Sequence, residues 1–353
     1  MNGLPLFPSS VVGSIPRPLH VRDLIDKPEW NAQDERTMDA AIRYVVSMQE
    51  MAGLDIVTDG EWRRRSYIGV IAELAHGFTL EINPIDRRPW TVVTEKLAAK
   101  EPGFIASEAR FLKSVAQVGT KITLPAPALL GERLWHPERS KQAYPQREAF
   151  VRDCVAPLRR EIELIQKLGI DIVQIDDPHL CLFVDPDVRR AYDDPDRAAD
   201  FAVDMINALV AGFSGIKFAV HLCRRAGARV RGEKHHAGTY GPILPQLNRL
   251  KVQHLTMEFT AAGADDLESL GRLREDFELG LGVLDVTPGI VDAPEQIVAR
   301  VERALQRVDA SRITLNPDCG FAPGSAARVD IDEVYRKLGA QCEAARLLRA
   351  RHR

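Results

Sequence analysis

The sequence has no long hydrophobic run and no large excess of charge of either sign. Its 353 residues include 47 Lys and Arg against 50 Asp and Glu, which gives a formal net charge of −3. The longest apolar stretch, Ile206 to Ile216, is too short to cross a bilayer and is bounded by Asp204 and Lys217. We therefore expect no membrane span, and we do not expect nucleic acid to be the main partner.

Cysteine and aromatic residues are also scarce. The chain has five cysteines and 6% aromatic residues, an odd and sparse thiol set that does not resemble a disulfide scaffold. The first residues include Pro5, Pro8 and Pro16 and lack the basic start of a signal peptide. These features predict reduced thiols and a cytoplasmic location.

Short apolar runs alternate along the chain with amphipathic helical segments. Most of the runs are continuously apolar, which is typical of parallel strands covered on both faces. The candidate strands are Ser10–Ile15, Asp55–Asp59, Lys121–Leu124, Asp171–Ile175, Lys217–Leu222, His254–Phe259, Gly282–Val286 and Arg312–Leu315. Eight such strands predict an α/β fold, a (β/α)₈ TIM barrel that forms a single domain over residues 1–353. An open doubly wound sheet is the alternative.

Two segments exceed what a minimal barrel needs. The stretch Gly77–Pro102 has two β-rich runs around "IDRRP" and predicts an inserted β-hairpin. The stretch Arg224–Tyr240 predicts an extended basic loop after the fifth strand. A helix is predicted over Asp265–Glu278. The basic run Arg63–Arg65 is interpreted either as a solvated face or as a site for an anionic group.

Polar side chains follow the ends of most of the predicted strands, where a barrel carries its chemistry. In chain order they are Ser14, which follows Gly13 in the first turn, and then Glu61, Asp176, His221, Cys223, Glu258, Asp285 and Cys319. His221 and Cys223 are two residues apart on a strand, so both side chains face the same side. Together with Glu258 and Cys319 they make a ligand set that suits Zn²⁺ far better than Mg²⁺ or Ca²⁺. The alternative is a buried strand with a hydrogen-bonded His and two inert thiols.

Six segments, in the same order, resemble the C-terminal catalytic barrel of the cobalamin-independent methionine synthase family. They are "VVGSIPR" at 11–17, "DGEWRR" at 59–64, "DIVQIDDP" at 171–178, "HLC" at 221–223, "MEF" at 257–259 and "NPDCG" at 316–320. The resemblance implies that zinc is bound by His221, Cys223, Glu258 and Cys319. It also implies that the Gly13–Ser14 turn lies near the carboxylate of an amino-acid thiol, with Glu61 and Asp176 near its amino group.

The sequence departs from the long methionine synthases in three places. It is too short to contain their N-terminal barrel, and its 224–240 loop resembles short paralogues that include epoxyalkane:coenzyme M transferases. Those long enzymes have an Asp-x-His motif whose His helps to protonate the folate leaving group, whereas this chain has Asp285 followed by Thr287. Asp285 is therefore the candidate acid for the leaving atom, and the alkyl donor stays open.

The resulting functional prediction is a zinc-dependent thiol alkyltransferase acting on a small-molecule thiol and an alkyl donor. Methyl transfer to homocysteine, giving methionine, is the leading form, and a 5-methyltetrahydrofolate-type donor is one option that the sequence leaves open. The main alternative transfers another thiol, such as coenzyme M, to an epoxide or other electrophile. A metal-free lyase like the uroporphyrinogen decarboxylases and a non-catalytic zinc-binding barrel are further alternatives.

Overall fold

A parallel sheet of seven strands forms the wall of the barrel in the computed structural model, which describes residues 3–82, 89–224, 236–260, 265–321 and 330–352. The strands of the described chain are β1 (Ile56–Val57), β2 (Ala75–Ile82), β3 (Pro89–Ala99), β4 (Gly119–Pro125), β5 (Ile172–Asp176), β6 (Lys217–Leu222), β7 (His254–Glu258), β8 (Glu278–Leu284) and β9 (Ile313–Pro317). The barrel order is β1-β4-β5-β6-β7-β8-β9, with parallel pairing throughout.

Residues Ser9 and Ser10 close the barrel between its first and last strands. Ser9 forms a parallel bridge with Leu315, and Ser10 N donates to the Leu315 carbonyl at 2.9 Å. On the other side, the Ser9 carbonyl accepts from Ile56 N at 3.1 Å. The (β/α)₈ prediction is confirmed, with this short bridge in the place of one strand.

The predicted strand Ser10–Ile15 is wrong. Beyond the bond from Ser10 N to Leu315, the carbonyls of this segment accept hydrogen bonds from side chains rather than from a neighbouring strand, among them Gln174 at Val12 and Thr58 at Gly13. Pro16 has no N–H to continue a ladder at the end of the segment. An apolar run bounded by prolines therefore resembles a strand in sequence without forming one.

The helices lie outside the sheet and several begin at a side-chain cap, such as Asn31, Asp194 and Asp330. The α-helices of the described chain are α1 (Leu19–Ile25), α2 (Ala32–Ala52), α3 (Ile71–Leu74), α4 (Phe104–Val115), α5 (Pro127–Leu134), α6 (Arg147–Gln166), α7 (Pro178–Leu182), α8 (Pro186–Arg189), α9 (Pro195–Val210), α10 (Leu244–Leu247), α11 (Leu267–Leu270), α12 (Pro294–Ala304) and α13 (Ile331–Arg351). Short 3₁₀ turns occur at Gly241–Ile243 and Ala310–Arg312. None of the helices in the described ranges has the length and apolar character needed to span a bilayer.

The helix predicted over Asp265–Glu278 is only the single turn α11. Gly271 caps this turn, and Arg274 then forms an ion pair with Asp276 at 2.8 Å. The chain turns here so that β8 can begin at Glu278, four residues earlier than the predicted strand. The Arg274–Asp276 ion pair and the early start of β8 thus end the helix after one turn, although the helical periodicity of the sequence continues.

The predicted β-hairpin is confirmed, because β2 and β3 pair in antiparallel fashion. Residues 83–88, between the two strands in sequence, lie outside the described residues. Most of the predicted extended loop also lies outside them, since 225–235 are not described.

The interior of the barrel is partly polar. Ile56, Ile172 and Ala219 form a small apolar cluster, while Lys121, Gln174 and His254 are also buried. Burial lowers the pKa of Lys121 to about 7, because the low-dielectric interior disfavours its charged form, even though Asp176 opposes the shift. Buried polar groups of this kind need hydrogen-bond partners. Lys121 and Gln174 find theirs in the carbonyls of the segment that leads to Ser14.

Candidate metal centre and substrate site

Three potential metal ligands from two strand ends meet in one buried cluster. His221 lies on β6 and Cys223 directly follows that strand, while Cys319 follows β9. The ligand atoms of the three side chains all lie within 4.8 Å of one another, and the two sulfur atoms are 3.5 Å apart. Zinc–sulfur bonds of about 2.3 Å in a tetrahedral site place two sulfurs roughly 3.8 Å apart, so this spacing fits a metal well.

The ring of His221 is oriented by Asp176. These two residues are paired in register on β5 and β6, and His221 Nδ1 lies 3.1 Å from Asp176 Oδ1. Because an ionised carboxylate only accepts, Nδ1 carries the proton of this contact. Nε2 is buried without a hydrogen-bond partner in the described part of the chain. A ligating His typically has this arrangement, with a carboxylate on one nitrogen and the other nitrogen free for a metal.

The electrostatics of the cluster favour a bound cation. Burial disfavours the charged form of His221, but nearby Cys223 and Asp176 raise its pKa to about 10. The pKa of Cys319 is raised well above its usual value, first by its hydrogen bond with Cys223 and then by burial and nearby Glu258. Without a cation, the cluster therefore retains protons that a bound metal would displace.

Glu258, the fourth predicted ligand, lies near this cluster but does not belong to it. It is the last residue of β7 and is fully buried. Its Oε2 accepts from the backbone N of Arg224 at 2.8 Å and lies 3.9 Å from that residue's Nη1. The role of Glu258 as a metal ligand therefore stays a prediction.

The Gly13–Ser14 turn lies between Glu61 and the loop that carries Cys319. A Cβ on Gly13 would come within 2.7 Å of Glu61 Oε1, and a Cβ on Gly320 would come within 2.2 Å of Ser14 Oγ. Both glycines are therefore needed for the close approach. The structure thus brings Gly13, Ser14 and Glu61 together beside the cluster of His221, Cys223 and Cys319, called the thiol cluster below.

Glu61 has an unusual backbone conformation and a buried carboxyl group. Its φ of +60° lies in the left-handed region, which is uncommon for a residue other than glycine and is often found at functional sites. Thr123 Oγ1 donates to Glu61 Oε1 at 2.7 Å. Burial raises the pKa of Glu61, while the positive charge of Arg64 opposes the shift and Asp176 adds to it.

A buried ion pair that the sequence did not predict supports Glu61. Arg64 Nη2 lies 2.8 Å from Glu108 Oε2, and both side chains are 1% exposed. Arg64 Nη1 also donates to Thr123 Oγ1 at 2.9 Å. Arg64 therefore belongs neither to a solvated face nor to a site open to an anionic group. The spacing of Glu108 in its helix gave no sign of this role.

Asp285 lies apart from these contacts at the end of β8. Its Oδ1 accepts from Thr287 N at 2.7 Å, and its own N donates to Asp292 at 3.2 Å. The buried Lys337 donates to the carbonyls of Asp285 and Thr287. These bonds fix the turn, and the catalytic role of Asp285 remains a prediction.

Gln174 is a further residue that the sequence interpretation missed. Its amide nitrogen contacts both Val12 and Asp176 from within β5. A polar residue inside the otherwise apolar run "IVQI" at 172–175 was the available signal, because buried amides require partners.

The model of one protein family, described as "Cobalamin-independent synthase, Catalytic domain", matches residues 7–121 and 134–346. The chain belongs to this family. The methionine synthase of Saccharolobus islandicus strain L.S.2.15 is 28% identical over 364 residues, covering 99% of this chain and 97% of that protein. The methionine synthase of Pyrococcus horikoshii is 26% identical and covers 98% of this chain and 94% of its own length.

A solved structure agrees with the family assignment at the level of the fold. A B12-independent methionine synthase from Shewanella sp. W3-18-1, in complex with selenomethionine, aligns with a TM-score of 0.79. The alignment covers 98% of both chains at 21% identity, so it shows the common barrel. The resemblance to the cobalamin-independent methionine synthases is therefore confirmed.

Proposed function

We propose that this chain is a zinc-dependent thiol methyltransferase that methylates homocysteine to methionine. The observation that carries the proposal is the buried cluster of His221, Cys223 and Cys319 next to Asp176 and the Ser14 turn. Membership of the cobalamin-independent synthase family supports it. No disulfide joins any of the five cysteines, which all lie within the described residues, and this is in keeping with the cytoplasmic setting proposed for a thiolate site.

The metal proposed for this cluster is zinc, held by His221, Cys223, Cys319 and Glu258. Two thiols and an imidazole are ligands that zinc prefers, and the buried Nε2 of His221 fits that role. When bound, zinc would lower the pKa of a substrate thiol and so supply a thiolate at neutral pH.

The acceptor is bound by the residues around the thiol cluster. Glu61 and Asp176 are acidic and buried, which suits the ammonium group of an amino acid. The Gly13–Ser14 turn offers the Ser14 hydroxyl to the carboxylate. The strained backbone of Glu61 is held by Thr123 and by the Arg64–Glu108 pair, so its carboxyl group is fixed before substrate arrives.

Methyl transfer forms a bond between the thiolate sulfur and the methyl carbon and breaks the bond between that carbon and the donor nitrogen. The electron pair stays on the nitrogen, which then takes a proton. Asp285 is our proposed acid, with 5-methyltetrahydrofolate as the proposed donor type. In its turn, Asp285 accepts from Thr287 N through Oδ1, and none of the bonds described above involves Oδ2.

Thr287 favours a second candidate, because the long enzymes have a His at this position. The candidate reaction adds coenzyme M to an epoxide. The sulfonate of coenzyme M would need a basic partner. Arg224, however, is fully buried. Its guanidinium lies 4.5 Å from the Tyr240 ring and donates to the Gly238 carbonyl at 2.8 Å. Arg64 is likewise paired with Glu108. These two described arginines are thus already engaged, and the buried acids Glu61 and Asp176 beside the cluster make the amino-acid thiol our preferred acceptor.

The test is product formation by zinc-loaded protein given each pair of substrates. One reaction contains L-homocysteine and ¹³C-methyl-labelled 5-methyltetrahydrofolate, and the other contains coenzyme M and 1,2-epoxypropane. Mass spectrometry should detect labelled methionine in the first reaction and none in a Cys319→Ser control. A hydroxypropyl thioether in the second reaction, without methionine in the first, would reject our proposal in favour of the epoxide reaction.

A further inference from the structure

The side chain of Gln174 is fully buried inside β5, where it makes an unequal set of hydrogen bonds. Its Nε2 lies 2.9 Å from the Val12 carbonyl and 2.8 Å from Asp176 Oδ1. Both neighbours are acceptors, so the amide nitrogen must face them, and each of its two hydrogens has a partner. Its Oε1 is buried without a partner in the described structure. Leaving such an oxygen without a hydrogen bond is unfavourable, so the contribution of this side chain lies in the two bonds that its nitrogen donates.

One oxygen of Asp176 receives two donors. Oδ1 accepts from Gln174 Nε2 and from His221 Nδ1, and these two bonds fix the plane of the carboxylate. Oδ2 accepts no hydrogen bond from the residues that the structure describes. Gln174 thus determines which oxygen is occupied and leaves the other for a ligand.

The other acceptor of the Gln174 amide, the Val12 carbonyl, lies in the segment that leads to the Gly13–Ser14 turn. Val12 directly precedes Gly13, whose own carbonyl accepts from Thr58 Oγ1 at 2.8 Å. Lys121 Nζ donates to the carbonyl of Val11. Three consecutive carbonyls are therefore held by three side chains, and among these three Gln174 is the one bonded to Asp176.

We propose that Gln174 is a positioning residue that orients Asp176 toward the amino group of the acceptor thiol while holding the segment that leads to Ser14. This inference rests on the proposed function, because it assumes that Asp176 receives the amino group. Gln174 acts through Asp176 and does not itself contact the substrate. It selects amino-acid thiols over thiols of the same length that lack the amino group.

The test compares two buried glutamines with similar surroundings. Gln341 is also fully buried, donates from Nε2 to the carbonyls of Ser10 at 2.9 Å and Leu315 at 3.2 Å, and has an Oε1 without a partner in the described residues. Gln174→Leu and Gln341→Leu thus remove equivalent donors, but only the first removes a bond to Asp176. Gln174→Met is a second variant of similar length, should the branched side chain prevent folding.

Calorimetry on the zinc-loaded proteins would measure the affinity for L-homocysteine and for 4-sulfanylbutanoate, which differs only by lacking the amino group. We expect Gln174→Leu to weaken homocysteine binding about tenfold, the lower end of what outer-shell changes cost, with little effect on 4-sulfanylbutanoate. Gln341→Leu should change neither affinity.

Equal losses for the two thiols in Gln174→Leu, or the same selective loss in Gln341→Leu, would overturn the inference. Wild-type protein that binds the two thiols equally would instead contradict the amino-group site in the proposed function. The two failures are therefore distinguishable in one data set.

Discussion

Gly13→Ala should damage the substrate site because Gly13 leaves no room for a methyl group. Its Cβ would lie 2.7 Å from Glu61 Oε1 and 2.9 Å from Thr123 Cγ2, whereas ordinary contact begins at 3.4 Å. The Glu61 carboxyl group must then withdraw by roughly 0.7 Å, against the hydrogen bond from Thr123. Overpacking of this kind costs about 1–3 kcal/mol. A displacement approaching 1 Å in an active site costs up to about a hundredfold in activity.

We therefore expect Gly13→Ala to bind homocysteine more weakly and to methylate it about ten- to a hundredfold more slowly. It should also lower the free energy of unfolding, measured by chemical denaturation. Gly339→Ala is the matched control, because Gly339 lies in α13 and an added methyl group there would have nothing within 4 Å. That change should stabilise the protein by about 0.5–1 kcal/mol and leave binding unchanged. Wild-type affinity together with wild-type stability in Gly13→Ala would refute the close approach of Glu61.

Three further predictions concern the metal cluster and the buried charges. Cys319→Ser should lose most of its zinc, measured by mass spectrometry of the metal content, while Cys342→Ser should retain it because Cys342 lies outside the cluster; equal zinc contents would remove Cys319 from the ligand set. Lys121→Met should abolish a rise in the free energy of unfolding between pH 7 and pH 10, at most about 1.4 kcal/mol per pH unit. The sign follows because the folded pKa of about 7 lies below the ordinary value of 10.5, so the unfolded chain binds the extra proton in that window; identical slopes in variant and wild type would contradict it. Arg64→Met should cost about 3–5 kcal/mol by leaving Glu108 buried and unpaired, and adding Glu108→Gln should restore part of this loss; a double variant no more stable than the single one would argue against the pair.

The fold could be predicted because its signals are local and repeated. Parallel strands covered on both faces, such as β5 and β7, appear in the sequence as apolar runs separated by helical periodicity. The segment from Ser10 to Ile15 was wrongly predicted as a strand, because its apolar residues are buried like those of a strand. Its carbonyls, however, accept hydrogen bonds from side chains that are distant in sequence. No local pattern records such partners.

The candidate metal ligands, like the strands, could be predicted from the sequence, whereas the residues that support them could not. Polar residues at strand ends indicated His221, Cys223 and Cys319, and the barrel geometry brings them together. Their supporting residues were not predicted, because Gln174 and Glu108 act through contacts separated by tens or hundreds of residues in sequence. The left-handed backbone of Glu61 was also invisible, since sequence rules assign that conformation mainly to glycine.

The proposed methyl transfer to a thiol depends on whether the cluster of His221, Cys223 and Cys319 holds a metal to which the substrate thiol binds. Absorption spectra of the cobalt(II)-substituted protein, titrated with L-homocysteine, coenzyme M and glutathione, would decide this. We expect a new, saturable sulfur-to-cobalt band with homocysteine and none with the other two thiols. A spectrum that no thiol changes would indicate a closed, structural metal site and would contradict the proposed methyl transfer to a thiol.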